Sequence, residues 1–518
     1  MRPFLALALS LLAFPAMART LTMAVAVETT SLDPHFHNVQ FNHSVDDHIF
    51  DALTYQGKDG EVIPWLAESY RMVDGQTWEF TLRAGVKFHD GTPLDPDDVA
   101  FTFARVPTVQ GPSSYNHFIE AVSGYERIDD RRFRLKTKEV EPFLPFNLTG
   151  VAILSRKIHA GATTADFNSG KIAIGTGPYR LVNFARGERL VLARNPDWWG
   201  PKQPWDEVIM RPIANDASRL SALLAGEVDL TDRMAPDDLE RIRGDAKLTL
   251  VSSRAHQVIY MFPDSVHATI PWTFDKQGRP LGRNPTKDIR VREAISLAIN
   301  RDAITRAIMS GAGTPADQMV APGAIGRDET LKPLAYDPVR AKALLAEAGY
   351  PDGWKWTMVS PANMYQNDAK IAQALAQMLT RVGIDTSLDT FTPVAFYPKI
   401  NAHEYPIFMT GYLTSSSVTV LGTLVLSKSL GGSKGQLNRM DYSNPALDRA
   451  FLSGISQLDP VQRARDLAEA MRQTITDRAV IPVIFTAYNW AMRKDRVTYT
   501  PNVLGFTQAF YAAPVGGL

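Results

Sequence analysis

Four of the ten histidines in this 518-residue chain fall within fourteen positions. They are His35, His37, His43 and His48, with Asp46 and Asp47 among them. Imidazole is a good ligand for nickel and zinc, so this stretch is the first place where the sequence could do chemistry. A metal site needs its donors aimed at one point. The residues from Asp46 onward pattern as a helix, which turns His43 and His48 away from His35. Nothing in the spacing fixes a tetrahedral set. A second chemical signal is Gly431-Gly-Ser-Lys-Gly435, the pattern of a nucleophile elbow. That motif needs an apolar strand leading in and a helix leading out; neither flanks it, and it reads as a surface turn. There is no H-E-x-x-H and no phosphate-binding loop. Cys is absent, which removes thiolate catalysis, disulfides and Cys-type zinc sites. No catalytic residue, resident metal or cofactor is expected.

The elements that must carry any site alternate between strands and helices. Leu21 to Val27 reads as a buried strand that runs into polar Glu28-Thr-Thr30. Trp78 to Leu82 and Leu190 to Ala193 read as further strands. Asp95-Pro-Asp-Asp98 predicts the cap of a helix beginning at Val99, with acids at its positive end. Downstream, apolar stripes predict helices over Val291–Ile299, from Pro338 to the stop at Gly349, over Ile371–Leu379, and over Leu467–Ile475. The strand-like Ile384–Leu388 and Val480–Phe485 follow the last two. This alternation indicates an α/β protein.

Met1-Arg2, an apolar run from Phe4 to Phe14 and Ala16-Met-Ala18 have the three parts of a secretory signal peptide. Cleavage after Ala18 is expected, and with it a role outside the cytoplasm. The remaining 500 residues are enough for two or three lobes. Lys+Arg and Asp+Glu are equal at 55 each, so the chain has no electrostatic footprint for nucleic acid or an anionic membrane.

Several phrases, in order along nearly the whole mature chain, resemble the extracellular solute-binding proteins of the peptide, opine and nickel class (family 5), the receptors of ABC importers. They are Ser31-Leu-Asp-Pro34, Trp65-Leu-Ala-Glu-Ser69, and Phe80 to Pro93 running on to Asp97-Asp-Val99. Further along come Gly175-Thr-Gly-Pro-Tyr179, Gly226-Glu-Val-Asp-Leu230, Val291-Arg-Glu-Ala294 with Ala298-Ile-Asn-Arg-Asp302, and Ala341 to Gly349. The phrases themselves read as turns and core, with Trp65 and Tyr179 packing rather than binding. The resemblance implies a two-lobed periplasmic-binding-protein fold (type II-like, cluster C) with an extra subdomain in the first lobe. The first lobe would span 19–264 with an inserted subdomain at about 43–175, the second 265–486, and the chain would return to the first over 487–518. It also implies a monomeric periplasmic receptor that closes on a small solute, leaves it chemically unchanged and hands it to an inner-membrane permease.

The same resemblance points to site residues. In peptide receptors of the family an Asp after a Gly-Trp pair in the second lobe holds the peptide ammonium. Here Gly411-Tyr412 stands in for that pair, and Thr414, Ser415, Ser416 and Ser417 fill the loop. No acid lies between Glu404 and Asp441. A buried ammonium without a counter-charge costs several kcal/mol, so the loop is expected to suit neutral or anionic groups. Glu28 occupies a place where a related oligopeptide receptor carries an acid facing its ligand, and could hold a cationic group. In nickel-type relatives the histidine loop reaches the bound complex, and the matching positions are His37 and Asn42. Tyr115, Phe118, Tyr365 and Tyr488 are further candidates for the pocket wall. A metal-chelate receptor, or a periplasmic chaperone or sensor partner on the same fold, is the alternative reading.

Overall fold

The computed structural model describes residues 19–516, without Ser113 and Asn363 and without the side chains of residues 254–256. The expected signal peptide, residues 1–18, lies outside the described residues.

Two long antiparallel strands, Leu248–Pro263 and Ile481–Arg493, run side by side through the middle of a twelve-stranded sheet. They pair from Leu248 against Arg493 to Met261 against Ile481. On one flank, Leu230–Asp232 continues the sheet into Thr20–Val25, Glu207–Pro212, Arg189–Arg194 and Tyr179–Ala185. On the other, Ile407–Leu413 leads to Trp354–Pro361 and its parallel neighbour Ile384–Phe391. The first strand is parallel to both of its neighbours, as crossover connections require. The result is two lobes joined through a shared strand pair. The ladder loses its regular register between residues 254 and 258 and again at Ile259/Tyr260. Bulges of this kind bend a strand locally.

A separate four-stranded antiparallel sheet, Ala67–Asp74, Thr77–Leu82, Arg132–Thr137 and Val122–Arg127, forms a subdomain on the first lobe. It has its own apolar core, in which Phe80 stacks on Phe133 at 5.4 Å beside buried Leu82 and Val86. Two buried polar nodes tie it down. Asp33, in the Ser-Leu-Asp-Pro phrase, receives both guanidinium nitrogens of Arg105 at 3.0 and 2.6 Å and the Thr164 hydroxyl at 2.7 Å. Asp51 accepts the indole N–H groups of Trp65 and Trp199 at 2.7 and 3.1 Å and the Thr176 hydroxyl at 2.9 Å. Two of the phrases, with Trp199, therefore meet on one carboxylate.

Three helices begin earlier than the sequence predicts. The helix expected from Val99 is Pro96–Arg105, with Asp95 as N-cap and a reciprocal bond from Asp98. The one read from Leu467 is Pro460–Thr476, capped by Asp459. The one read from Asp46 is Gln40–Ile49, whose N-cap, Val39, has no capping side chain and so leaves no sequence signal. An apolar stripe marks only the turns that face a core; the polar first turns are set by caps. The helices at Ile289–Ala298, Pro338–Glu347 and Asp368–Arg381 lie where expected.

The Asp33–Arg105 pair is fully enclosed, so breaking it strands a buried carboxylate. Arg105→Met is expected to lower stability by about 3 kcal/mol, read as a shift in the denaturation midpoint of the first lobe; an unchanged midpoint would contradict a structural role for this pair.

Candidate functional site

The four clustered histidines are held apart by their own hydrogen bonds. His35 receives the Arg105 guanidinium at Nδ1 (3.0 Å) and donates from Nε2 to the Ala152 carbonyl (2.9 Å). His48 donates from Nδ1 to the Ser44 carbonyl (2.8 Å) and accepts the Ala509 amide at Nε2 (2.9 Å). His43 meets Asn38 at 2.9 Å and lies against Phe506 and Tyr115. Burial pushes the imidazoles of His35, His43 and His48 down to about 4, so all three are neutral structural groups. Among the described residues they do not converge on a metal site. His37 is more open, 3.0 Å from the Thr30 hydroxyl.

Asn42 is fully buried and fully engaged. Its carbonyl oxygen accepts from the Thr29 hydroxyl, the Thr30 amide and the Thr30 hydroxyl. Its amide donates to the Thr30 hydroxyl and the His37 carbonyl. Asn42 thus clamps the loop after the first strand. Tyr115 is enclosed between His35 and His43, and Phe118 packs on it at 5.6 Å. Glu28 accepts the Gly187 amide and borders a void of about 30 Å³ with Gln40, Asp232 and Arg233. That is room for roughly one water, so a larger guest there requires the walls to move.

In the second lobe the serine loop is closely built. The Thr414 hydroxyl accepts the Ser416 amide at 3.1 Å, and the Ser416 hydroxyl accepts the Val418 amide at 3.2 Å, capping Ser417–Leu424. The Ser417 hydroxyl is buried with no hydrogen-bond partner, against Gly326. Ser415 alone of the four reaches the first lobe, where the Gln56 amide donates to its hydroxyl. The row of hydroxyls arises from a turn and a helix cap, features that the same residue types serve throughout proteins.

Two clusters around arginines, which sequence reasoning missed, flank the seam between lobes. On the second lobe, Arg439 lies over the Tyr397 ring at 5.2 Å, with Tyr365 and Tyr412 close by. Its Nε donates to Asn401 at 2.7 Å, and among the described residues no carboxylate lies within ion-pair distance. Burial holds its pKa below the ordinary guanidinium value. Tyr365 donates to the Gly411 carbonyl at 2.8 Å. A Cβ at Gly411 would lie 3.0 Å from that ring and 2.8 Å from Ile259, which explains the glycine before Tyr412. On the first lobe, Arg233 donates to Gln40 and lies 5.8 Å from the Tyr488 ring, and Tyr488 bonds the same Gln40 oxygen at 3.3 Å. Arg233 has φ 48°, a left-handed conformation that costs a non-glycine residue of order 1 kcal/mol. The clusters are linked: Gln366, next to Tyr365, donates to the carbonyl of Met234, next to Arg233, at 3.2 Å. No local pattern distinguishes Arg233 or Arg439 from the other cations, because what sets them apart is the company they keep across the fold.

A larger cavity of about 460 Å³ lies inside the first lobe, bounded by Trp65, Trp198, Phe510, Tyr511 and the carboxylates of Asp47 and Asp51. A smaller one of about 120 Å³ shares Asp47 and Tyr55 and extends to Phe118 and Gln56. Asp47 accepts the Gln508 amide at 2.6 Å, and burial, with Asp51 adding its charge, lifts its carboxyl to about 8.

Two lobes on a shared strand pair, with polar contacts between them, define a binding protein of the hinge-closing class. The chain belongs to the bacterial extracellular solute-binding proteins, family 5: the model of that family's middle region matches residues 61–429. It is 27% identical over 493 residues to the glutathione-binding protein GsiB of Salmonella paratyphi A, covering 93% of this chain and 92% of that one. It is 28% identical over 377 residues to the dipeptide-binding protein of Escherichia coli K12, with 68% of each chain covered. The substrate-binding protein CtaP of Listeria monocytogenes shares the fold, with a TM-score of 0.81 at 22% identity over 96% of this chain and 99% of that one. The expected family and two-lobed fold are borne out. The chain is a solute-binding receptor, and its relatives are binding proteins of transporters. No helix among the described residues is long and apolar enough to cross a membrane.

The raised Asp47 carboxyl makes a prediction with a definite sign. Its pKa is 3.8 unfolded and about 8 folded, so its contribution to stability is present at low pH and is lost as pH rises through 8. Asp47→Asn is therefore expected to gain on wild type between about pH 5 and pH 8, by about 2 kcal/mol, the cavity screening part of the roughly 4 kcal/mol implied. Urea denaturation at the two pH values measures it; a gap that stays constant would show that Asp47 titrates normally.

Proposed function

We propose that this protein is a monomeric periplasmic receptor that captures a small peptide-like anion between its lobes. It delivers the guest, chemically unchanged, to an ABC permease. The observation that carries this reading is Arg439, a half-buried guanidinium among three tyrosines with an amide rather than a carboxylate as its partner. A buried cation without a counter-ion is costly, and a ligand carboxylate received by charge-assisted hydrogen bonds is the natural compensation. Arg233, across the Gln366–Met234 contact, offers a second cationic anchor from the opposite lobe. Glu28 borders the same small void as Arg233 and supplies an acceptor for an ammonium group.

Two carboxylates and one ammonium is the charge pattern of glutathione, the ligand named for the relatives that align over nearly the whole chain. The lack of an acid in the serine loop supports the same choice, because an ordinary dipeptide would leave its ammonium unpaired there. A guest held by both lobes binds the closed form better, and that difference drives closure. Of the residues expected from sequence, Glu28, Tyr365, Tyr412, Ser415 and Tyr488 belong to this reading.

Titration calorimetry with glutathione and with its carboxyl-amidated derivative tests it. Arg439→Met, which keeps the apolar stem, is expected to weaken glutathione binding about tenfold or more and leave the weak binding of the diamide unchanged. Equal affinity of wild type and variant for glutathione and for other acidic tripeptides would overturn the reading.

A further inference from the structure

We infer that the second lobe carries a site for one borderline divalent cation of the zinc type, built from His267, His403 and Asp441. The site is separate from the histidine-rich loop of the first lobe and independent of the solute assignment. His267 lies in the connection after the strand Leu248–Pro263, His403 just beyond the helix Pro393–Asn401, and Asp441 in the loop before the helix Pro445–Ser456. Their donor atoms all lie within 4.8 Å of one another.

The geometry around Asp441 is the strongest argument. Its Oδ2 is 3.5 Å from His267 Nε2 and 3.5 Å from His403 Nε2. These distances are too long for hydrogen bonds. They match the edge between two ligands of a tetrahedral zinc ion, roughly 3.3 Å for metal–ligand bonds near 2.05 Å. The mount of His267 points the same way. Its Nδ1 lies 2.6 Å from a carboxylate oxygen of buried Asp264, which leaves Nε2 as the nitrogen facing the Asp441 carboxylate. A neutral nitrogen and a carboxylate oxygen facing each other repel unless a proton or a cation lies between. A carboxylate behind a ligating imidazole is also the usual outer support of a bound metal, and Asp264 is itself fixed by the amides of Val266 and His267 and by the Pro406 carbonyl.

Backbone strain converges on the same point. His403 has φ 55° and Asp441 φ 51°, the left-handed region that side chains other than glycine seldom occupy. His403 Nδ1 is buried without a partner, and Nε2 is the nitrogen that faces Asp441. One group competes: the Lys428 ammonium lies 2.6 Å from the other oxygen of Asp441. Monodentate binding through Oδ2 leaves that contact in place, and water completes the fourth position. The cation would join residues 401–403 to 439–441. Between those segments Arg439 already bonds Asn401, so the clip stiffens the mount of the arginine.

Equilibrium dialysis of the chelator-stripped, untagged protein against micromolar zinc tests this, with metal analysis and thermal melting as readouts. One zinc per chain and a raised melting temperature are expected. Affinity should fall about tenfold or more in His403→Ala and His267→Ala and about tenfold in Asp264→Asn, which touches only the outer support. Should an alanine variant fail to fold, Lys428→Met decides. It should bind zinc more tightly than wild type, because it removes the competing ammonium, and equal or weaker binding overturns the site. Absence of zinc uptake by wild type, or uptake that His267→Ala and His403→Ala leave unchanged, overturns it as well.

Discussion

The pairing of Leu248–Pro263 with Ile481–Arg493 is the constraint on which the other features depend. A strand must satisfy its backbone groups along its whole length, and these two do so for each other as they pass from one lobe to the next. Each lobe then extends the same sheet outward, so both grow from one rigid ladder. The ladder is irregular at two register shifts, where a strand bends most easily. A receptor that closes on its solute needs rigid halves and a soft boundary, and one imperfect strand pair supplies both.

Buried polar groups fix the remaining geometry. Asp33 and Asp51 draw together segments far apart in sequence, because an enclosed carboxylate is stable only where several donors converge. His35 and His48 do comparable work as neutral groups, held by backbone carbonyls and, for His35, by the Arg105 guanidinium. These sites hold the subdomain and the loop after the first strand in place. Glu28, Gln40 and Gln56 thereby have fixed positions on the first lobe's side of the seam.

The charges at the seam follow the opposite logic. Arg439 is surrounded by aromatic rings and a neutral amide instead of acids, and Arg233 is bonded to the Gln40 amide near the Tyr488 ring. A cation so incompletely paired sacrifices stability in the empty protein, and the proposed anionic guest would complete it. In the histidine and aspartate triad near Arg439, one carboxylate oxygen of Asp441 is paired with Lys428 and the other faces two imidazoles.

The sequence by itself determined the α/β class, the family, most helices and the structural character of the recurring phrases. Those features are written in local periodicity, caps and turn residues, which act over a few positions. It also excluded an acid from the second-lobe loop, which no fold could restore. Only the tertiary structure decided which polar residues are spent and which remain free. Thr414, Ser416 and Asn42 resemble ligand groups until their turn, cap and clamp bonds are visible. Arg439, Arg233 and the His267–His403–Asp441 triad have no local signature at all. Arg233 meets Gln40 and Tyr488, and His267 meets His403 and Asp441, only when the chain is folded, whereas the turn, cap and clamp bonds are local and are decided by the backbone geometry the fold imposes.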